Sequence, residues 1–257
     1  MTTVVSVHSF RGGTGKSNTT ANVASILASE GFRVGVVDTD IQSPGIHVLF
    51  GFDEGLQDTL DDYLWGKIGI AAAAHDVTPV VASTTTVKPG GALYLVPSSM
   101  RAGDIARVLR EGYDVVLLNE GFRDLARELQ LDYLFIDTHP GLNEETMLSI
   151  TVSDVLLLLL RPDKQDFQGT AVTVDIARRL DVPALLLVLN KVPHGVDLED
   201  LRAQMNSAYG APTAAFLPLS EDLVLNASGA LFSLTHPDHP WSSQIHAIAD
   251  ALQSPRR

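Results

Sequence analysis

The sequence predicts one α/β domain over residues 1–257, with a doubly wound, mostly parallel sheet of about seven strands and helices on both faces. Continuous apolar runs, such as residues 155–160 and 184–189, are typical of strands that are covered on both faces. Segments with helical spacing of apolar residues lie between these runs. The chain is 45% hydrophobic, which is enough to build one large core from 257 residues.

The first element is a β-branched run at residues 4–7, which predicts a strand that begins almost at the N-terminus. A glycine-rich turn, GGTG at residues 12–15, follows it, and Lys16 and Ser17 open a helical pattern that ends near Gly31. Strand, glycine loop, Lys-Ser and helix in this order predict a site for a nucleoside polyphosphate. The alternative is a glycine turn that enters a helix beside a chance Lys-Ser pair, and the coincidence of all four features argues against it.

Each part of this loop has a physical reason. Glycines let consecutive N–H groups turn inward around phosphate oxygens, and the following helix directs its free N–H groups at the same anion. Lys16 adds a mobile positive charge for the β- and γ-phosphates, and the Ser17 hydroxyl is a suitable ligand for Mg²⁺. The usual pattern would have glycine at position 10, where this chain has Phe10. The predicted nucleotide-binding residues here are Gly12, Gly13, Thr14, Gly15, Lys16, Ser17 and Asn18.

The segment RGGTGKS, residues 11–17, resembles the deviant P-loop of the MinD/ParA family, K-G-G-x-G-K-[ST]. The resemblance implies a P-loop NTPase fold, ATP or ADP with Mg²⁺ as cofactors, and a catalytic role for Lys16. In that family the early lysine reaches across a dimer to the partner's nucleotide, and this chain has Arg11 in its place. Arginine keeps the positive charge, but its planar group is larger and is not equivalent to an ammonium.

The next predicted strand, residues 33–38, ends in the loop DTDIQSPG at residues 38–45. In open parallel sheets ligands bind beyond the carboxyl ends of strands, so this loop faces the same crevice as the glycine loop. The loop resembles the family's switch I, D-x-D-x-x-x-P-G. The resemblance implies that Asp40 directs the attacking water and that Asp38 supports the metal; the alternative is two aspartates that cap a turn.

A third apolar strand, residues 133–137, ends in Asp137, which is the placement of a Walker B carboxylate facing Mg²⁺. Ser17, Asp38 and Asp137 are therefore the predicted metal-site residues. The following segment DTHPGL, residues 137–142, resembles the family's switch II, whose glycine permits a change of shape when the γ-phosphate leaves. We interpret His139 as a surface residue of this loop and not as a general base.

Two later loops resemble the family's adenine-contacting segments. Asn190 and Lys191 end a predicted strand, and the resemblance implies that Asn190 contacts adenine; the alternative is a strand-end cap. The GTPase motif N-K-x-D would need aspartate where this chain has Pro193, so guanine specificity is not supported. Pro218 lies in FLPLSED, which resembles the loop that covers the base. His236 and His239 lie in a proline-punctuated loop without further ligands, so we predict no metal there.

The remaining pattern predicts a strand at residues 93–96 and helices at residues 56–65, 101–111, 115–129, 164–180 and 241–252. Residues 71–74 predict one helical turn. Residues 46–91 have no clean period, and we interpret them as a family-variable surface that binds a partner.

Composition limits the partners. The formal net charge of −13 disfavours binding of DNA or anionic lipid through bulk electrostatics, although a local basic patch remains an alternative to a mixed-charge surface. With no cysteine there is no disulfide and no cysteine-ligated iron–sulfur cluster, which argues against a nitrogenase iron protein.

We expect a cytoplasmic protein without a targeting segment. Pro255 would break any helical extension before Arg256 and Arg257, so we expect no self-contained membrane anchor. The arginines of the candidate patch are Arg101, Arg107, Arg110, Arg123 and Arg127, with Arg178 and Arg179 elsewhere.

The leading hypothesis is a slow, partner-stimulated ATPase that closes as a homodimer around ATP and positions or partitions a cellular cargo. An activating or cargo protein is implied and is not identified by the sequence. One alternative is a nucleotide-binding scaffold or regulator with little hydrolysis. A further alternative is a metabolic P-loop enzyme, such as a dethiobiotin-synthetase relative, which would need a second substrate pocket beside the γ-phosphate.

Overall fold

The computed structural model describes residues 1–52 and 56–254. These residues form an eight-stranded sheet with the order β3-β4-β2-β5-β1-β6-β7-β8. The strands are β1 (Thr3–His8), β2 (Arg33–Asp38), β3 (His75–Asp76), β4 (Ala92–Val96), β5 (Tyr133–Asp137), β6 (Val155–Leu160), β7 (Ala184–Val192) and β8 (Thr213–Pro218).

The α-helices connect and cover these strands. They are α1 (Lys16–Ser29), α2 (Leu60–Leu64), α3 (Thr78–Ala82), α4 (Ala102–Glu111), α5 (Val115–Glu128), α6 (Glu144–Thr151), α7 (Lys164–Arg179), α8 (Leu198–Tyr209), α9 (Glu221–Asn226), α10 (Phe232–Thr235) and α11 (Pro240–Gln253). Two 3₁₀ helices, Ile46–Phe50 and Ile70–Ala73, lie in the segment between β2 and β4.

The predicted fold class is confirmed, and the strand count is eight where about seven was predicted. The strands predicted by range include neither β3 nor β8, and the first three residues of the predicted loop FLPLSED belong to β8. β3 has two residues and pairs antiparallel with β4 at the edge of the sheet, whereas the other pairings are parallel. A two-residue strand has no periodicity that a sequence pattern could reveal. From β1 the chain builds one half of the sheet through β2, β4 and β5 and then the other half through β6, β7 and β8.

The core lies on both faces of the sheet, as the continuous apolar runs predict. In β6 the side chains of Leu157 and Leu159 pack with α1 and α11 residues such as Ile26 and Ile245. Leu156, Leu158 and Leu160 pack on the opposite face with residues of α7 and α8. Every residue of β6 is buried, which is the pattern of a central strand between two helical layers.

Most predicted helices agree with the structure within a residue or two, but that for residues 56–65 is shorter than expected. Its helix, α2, starts after Thr59, whose side chain and that of Asp62 form a capping box, so the preceding residues lie outside it. Residues 71–74 contribute to the 3₁₀ helix Ile70–Ala73. Pro255, Arg256 and Arg257, on which the membrane-anchor expectation depends, lie outside the described residues. In the described part of the chain, no helix has the length and apolar character needed to cross a bilayer.

The candidate basic patch carries its own acidic partners. Arg101 pairs with Asp62 and Asp104, at 3.2 and 2.6 Å. Arg107 and Arg110 both contact Glu111. Arg127 contacts Asp124 at 2.7 Å. These pairs favour the mixed-charge surface over a continuous cationic surface.

Candidate functional site

The phosphate loop, residues 10–17, connects β1 to α1 at the carboxyl edge of the sheet. Gly13 and Gly15 have φ values of 76° and 94°, in the left-handed region that favours glycine. A Cβ at Gly15 would also overlap the amide of Asn190, so the position needs glycine for space as well as for conformation. Gly15 precedes α1 and provides no side-chain cap, which leaves the first N–H groups of the helix available to an anion.

Lys16 and Thr14 are buried in this loop although both are polar. The Thr14 hydroxyl has no hydrogen-bond partner within residues 1–52 and 56–254. Buried polar atoms in proteins normally have a partner, so an orphaned hydroxyl fits a loop that closes around a polar ligand. The loop therefore has the form and the donors that a phosphate group requires.

Asp38 and Asp137 lie side by side because β2 and β5 are adjacent parallel strands with these residues in register. Burial raises the pKa of Asp38 well above its usual value, and the nearby Asp137 carboxyl raises it further. Burial also raises the pKa of Asp137 to about 6, against the opposing effects of the Ser17 hydroxyl and the Lys16 ammonium. Each of these buried carboxyls is costly to ionise, and a divalent cation beside them would stabilise their charged forms.

The predicted metal residues fit Mg²⁺ that keeps water and phosphate oxygens as ligands. The Ser17 hydroxyl lies near enough to the Asp137 carboxyl to lower its pKa, so an alcohol and a carboxylate group face each other at the start of α1. No group of three or more His, Cys, Asp or Glu side chains in the described ranges is arranged to hold a metal ion by itself. Mg²⁺ is commonly bound through few protein oxygens together with substrate phosphates, which this donor set matches.

Asp40 lies two residues beyond β2 and faces the loop that follows β5. Its carboxylate accepts a 2.6 Å hydrogen bond from Nδ1 of His139, and its backbone N–H donates to Asp38. The interpretation of His139 as a surface residue of this loop, and not a general base, stays a prediction. The structure adds a contact: the partly exposed side chain is paired with the predicted water-directing carboxylate. The sequence carried a signal for this contact: both residues lie two positions after a strand-ending aspartate.

The predicted base-binding residues border a cavity of about 340 Å³ beside the phosphate loop. The Asn190 amide donates to the carbonyl of Thr14 at 2.8 Å, and the Lys191 ammonium donates to the carbonyl of Gly13 at 2.9 Å. Lys191 has a φ of 59°, a conformation that is costly for a non-glycine residue and is often found at functional sites. The cavity is lined by Gly13, Gly15, Asn18, Asn190, Lys191, Pro218, Leu219, Ser220, Leu223, Val224 and Trp241.

Sequence reasoning missed several of these lining residues. Leu223 and Val224 belong to the short helix α9, and Trp241 has the spacing of a core residue in α11. Trp241 is almost fully buried and serves the core and the cavity wall together. Only the tertiary packing of α9 and α11 beside β8 brings these side chains to the cavity.

The first two residues of the phosphate loop contact α7 and not the cavity. The Phe10 ring packs against Gly169, where a Cβ would overlap it. The Arg11 guanidinium donates a hydrogen bond to Gln165 and lies 3.9 Å from both Asp163 and Asp166. In the single chain Arg11 is therefore engaged by its own α7, and its action in a partner subunit stays a prediction. No pattern marked Gln165 or Gly169, because their role depends on how α7 packs.

All of the sequence-predicted site residues lie at one edge of the sheet. Residues 11–15 lie between β1 and α1, and Lys16, Ser17 and Asn18 begin α1. Gly12 approaches Pro140 of the loop after β5. Asp38 and Asp40 follow β2, and Asp137 ends β5. Asn190 and Lys191 lie near the end of β7, and Pro218 ends β8. His239, one of the two histidines at which no metal is predicted, caps α11 by accepting a hydrogen bond from the N–H of Trp241.

Comparisons with known proteins show what this chain is similar to. An ATP-binding protein of Methanocaldococcus jannaschii is 26% identical over 98% of this chain and 88% of its own length. An iron–sulfur cluster carrier protein of Pseudomonas fragi is 27% identical over 92% of this chain and 80% of its own. The septum site-determining protein MinD of Pyrococcus horikoshii, solved with Mg-ADP, has the same fold with a TM-score of 0.79. It is 21% identical to this chain, and the match covers 99% of this chain and 97% of that one.

The family model described as ParA, NUBPL iron-transfer P-loop NTPase, matches residues 1–253. The predicted resemblance to the MinD/ParA proteins is thereby confirmed, and the chain belongs to the ParA family of P-loop NTPases.

Proposed function

We propose that this protein is a Mg²⁺-dependent, ATP-binding and ATP-hydrolysing switch that dimerises around ATP and positions or partitions a cellular cargo. The observation that carries the proposal is the arrangement at the sheet edge. One side of the phosphate loop faces a base-sized cavity, and the other side faces three aspartates that end or follow β2 and β5. A nucleoside triphosphate needs these two surroundings, one at each end.

Binding would use the loop amides, Lys16 and the start of α1 for the phosphates. The adenine would occupy the cavity beside Asn190, Lys191 and Pro218, whose volume of about 340 Å³ is within the range of small-ligand pockets. The predominantly apolar wall, with Leu223 and Trp241, suits the faces of an aromatic base.

Hydrolysis would depend on positioning and charge. When bound near Ser17, Asp38 and Asp137, Mg²⁺ would supply charge neutralisation at the phosphates. Asp40 would accept a hydrogen bond from the attacking water and hold it in line with the γ-phosphorus. Lys16 would stabilise negative charge that develops on the transferred group. The reaction would be slow until a partner completes the site.

Dimerisation is a separate part of the proposal. Arg11 would leave its contacts on α7 and reach the phosphates of the partner subunit. Light scattering should then show a monomer without nucleotide and a dimer with ATP and Mg²⁺, whereas Arg11→Ala should stay monomeric. A wild-type protein that remains monomeric with ATP would contradict this part. We expect the cargo to be a protein and not DNA or a lipid surface. Arg107 and Arg110 of α4 and Arg127 of α5 each contact an acidic residue, so they do not form a free cationic surface.

The iron–sulfur carriers among the relatives raise the question of cluster transfer. The 257 residues contain no cysteine, so this stretch provides no thiolate ligand for a cluster. We therefore propose the nucleotide-dependent switch and not cluster carriage for this chain.

Phosphate release with Mg-ATP tests the catalytic part directly. Asp40→Ala should lower the rate at least about tenfold, because it removes the group that directs the water. Its ATP affinity should remain close to that of the wild type, since Asp40 does not line the base cavity. Equal rates for the wild type and Asp40→Ala would contradict a hydrolytic role for this site.

A second candidate is a nucleotide-binding scaffold with little hydrolysis. The observation that favours it is the engagement of Arg11 by Gln165 and the α7 acids, which occupies the one residue expected to act in trans. The same experiment separates the two. Saturable ATP binding together with background phosphate release, unchanged by Asp40→Ala, would support the scaffold.

A further inference from the structure

His139 and Asp40 meet because the sheet register places them opposite each other. Asp38 of β2 pairs with Asp137 of β5. Two residues beyond these strand ends lie Asp40 and His139. The backbone N–H of Thr39 still donates to the carbonyl of Asp137, at 2.9 Å, so the two strands stay together past their ends. The distance of 2.6 Å between Nδ1 and Oδ1 is thus set by the central strands and not by two unrelated loops.

The segment that carries His139 is fixed at further points. The Thr146 hydroxyl of α6 donates to the His139 carbonyl at 3.3 Å, and the N–H of Gly141 donates to the carbonyl of Ser9 at 3.2 Å. The first contact ties the segment to α6, and the second ties it to the residue before the phosphate loop. His139 therefore approaches Asp40 from a backbone that is anchored on both sides.

The direction of the hydrogen bond follows from the chemistry of the two groups. A carboxylate only accepts, so Nδ1 of His139 carries the hydrogen that Asp40 receives. Such a charge-assisted bond is short and strong, and it restricts the rotation of the Asp40 side chain. It occupies Oδ1 and leaves Oδ2 for a water molecule.

The geometry points to His139 as a positioning residue that holds the Asp40 carboxylate in the orientation needed to direct the attacking water. This inference rests on the proposed role of Asp40. A carboxylate on a loop samples several rotamers, and restricting it beforehand lowers the cost of reaching the reactive arrangement. His139 itself does not contact the reacting atoms in this account. Its effect should fall on kcat and leave ATP binding almost unchanged.

The experiment measures steady-state phosphate release with Mg-ATP for the wild type, His139→Ala, His139→Asn and His139→Gln. Asparagine carries its amide nitrogen as many bonds from Cα as Nδ1, whereas glutamine matches the more distant Nε2. His246→Ala, a half-buried histidine on α11, is the matched control. Circular dichroism checks folding, and calorimetry measures the affinity of each variant for ATP.

We expect His139→Ala to lower kcat about tenfold, equivalent to about 1.4 kcal/mol of barrier, with KM for ATP changed less than about twofold. His139→Asn should recover at least half of the wild-type kcat, His139→Gln should behave like His139→Ala, and His246→Ala should match the wild type. A structural role alone would not produce this difference between asparagine and glutamine.

Several results would overturn the inference. A wild-type or increased kcat in His139→Ala, while Asp40→Ala is impaired, would refute His139 as a positioning residue and leave the hydrolytic function intact. Equal recovery by asparagine and glutamine would refute the assignment to Nδ1. Phosphate release by the wild type no faster than by Asp40→Ala would refute the proposed function itself, and this inference with it.

Discussion

The two halves of the phosphate loop have different surroundings. Residues 13–17 lie beside the ends of neighbouring strands: Asn190 and Lys191 donate to loop carbonyls, and Lys16 and Ser17 lower the pKa of the nearby Asp137. Phe10 and Arg11 contact the helix α7 instead, through Gly169, Gln165 and the adjacent acids. The second half is held by strand ends that include the buried Asn190 and Asp137, and the first half by a partly exposed helix surface.

We expect this difference to separate nucleotide binding from the response to a partner. The strand ends are fixed by sheet register and burial, so the groups that would hold a nucleotide are in place within one chain. Arg11 itself is partly exposed, and its two ion pairs are long, at 3.9 Å. The buried Asp166 already has a shorter ion pair with Arg161, at 2.9 Å, so we expect the contacts of Arg11 with the acids to contribute little stability. Binding should therefore be a property of the single chain, and the response to a partner should involve the first half of the loop.

The largest expected effect belongs to the second half. Lys16→Ala should weaken ATP binding about 100-fold, equal to about 2.7 kcal/mol, because a buried charge that faces the phosphates is lost. Lys191 also contacts the loop, but its side chain is exposed. Lys191→Ala should therefore weaken ATP binding about tenfold or less. Competition against a fluorescent ATP analogue measures both. Equal losses of ATP affinity in the two variants would contradict a larger role for the buried lysine than for the exposed one.

The contact between Phe10 and Gly169 should show the structural role of the first half. Gly169→Ala places a Cβ into the Phe10 ring and should lower the free energy of unfolding by about 2 kcal/mol. In a Phe10→Gly background the ring is gone, and the same change should stabilise by about 1 kcal/mol because alanine favours helix. Urea denaturation of the four proteins measures both effects. The same sign in both backgrounds would contradict the packing.

His8, at the end of β1, gives a pH-dependent comparison beneath the loop. Burial, with the charges of Lys16 and His139, lowers its pKa to about 3, whereas the unfolded chain keeps about 6.5. The unfolded state therefore binds more protons between these values, so this contribution to stability is present above pH 6.5 and is lost as the pH falls. At pH 5 the loss should be about 2 kcal/mol.

His8→Asn removes this titration and keeps a donor for the Thr138 hydroxyl, which His8 contacts at 2.8 Å. Urea denaturation at pH 7 and pH 5 should show a smaller loss for the variant than for the wild type. Asp38 and Asp137 titrate in both proteins, so the difference between them isolates His8. An identical loss in the two proteins would contradict a neutral, buried His8.

The smallest expected effect is that of Arg11 on binding. Arg11→Ala should change ATP affinity less than about threefold, because Arg11 contacts α7 and does not line the base cavity. The fluorescence competition used for Lys16→Ala measures it. A loss comparable to that of Lys16→Ala would mean that both halves of the loop bind the nucleotide and would remove the distinction between them.

The sequence predicted the second half of the loop well, for a physical reason. Asp38 and Asp137 end buried apolar runs, and parallel strands bring their carboxyl ends to one edge. The family resemblance, and not the strand pattern alone, indicated Asn190, which the structure places beside the loop. The fixed spacing of glycine, lysine and serine predicted the remaining phosphate-binding residues, because a phosphate needs these groups in that order.

The first half could not be predicted in the same way. Phe10 and Arg11 were noted as departures from the usual pattern, but their partners Gly169 and Gln165 lie more than 150 residues away in α7. Only the packing of α7 on the sheet decides that contact.

Outside the loop, the pairing of Asp40 with His139 left a signal in the sequence, because each follows a strand-ending aspartate by two residues, but it also requires the register of β2 with β5. The two-residue strand β3 is too short to leave a pattern.

Calorimetric titration of the wild-type protein with ATP and Mg²⁺ decides whether this chain binds the nucleotide at all. We expect a saturable heat with one nucleotide bound per chain. Absence of any heat of binding with adenine nucleotides would contradict it.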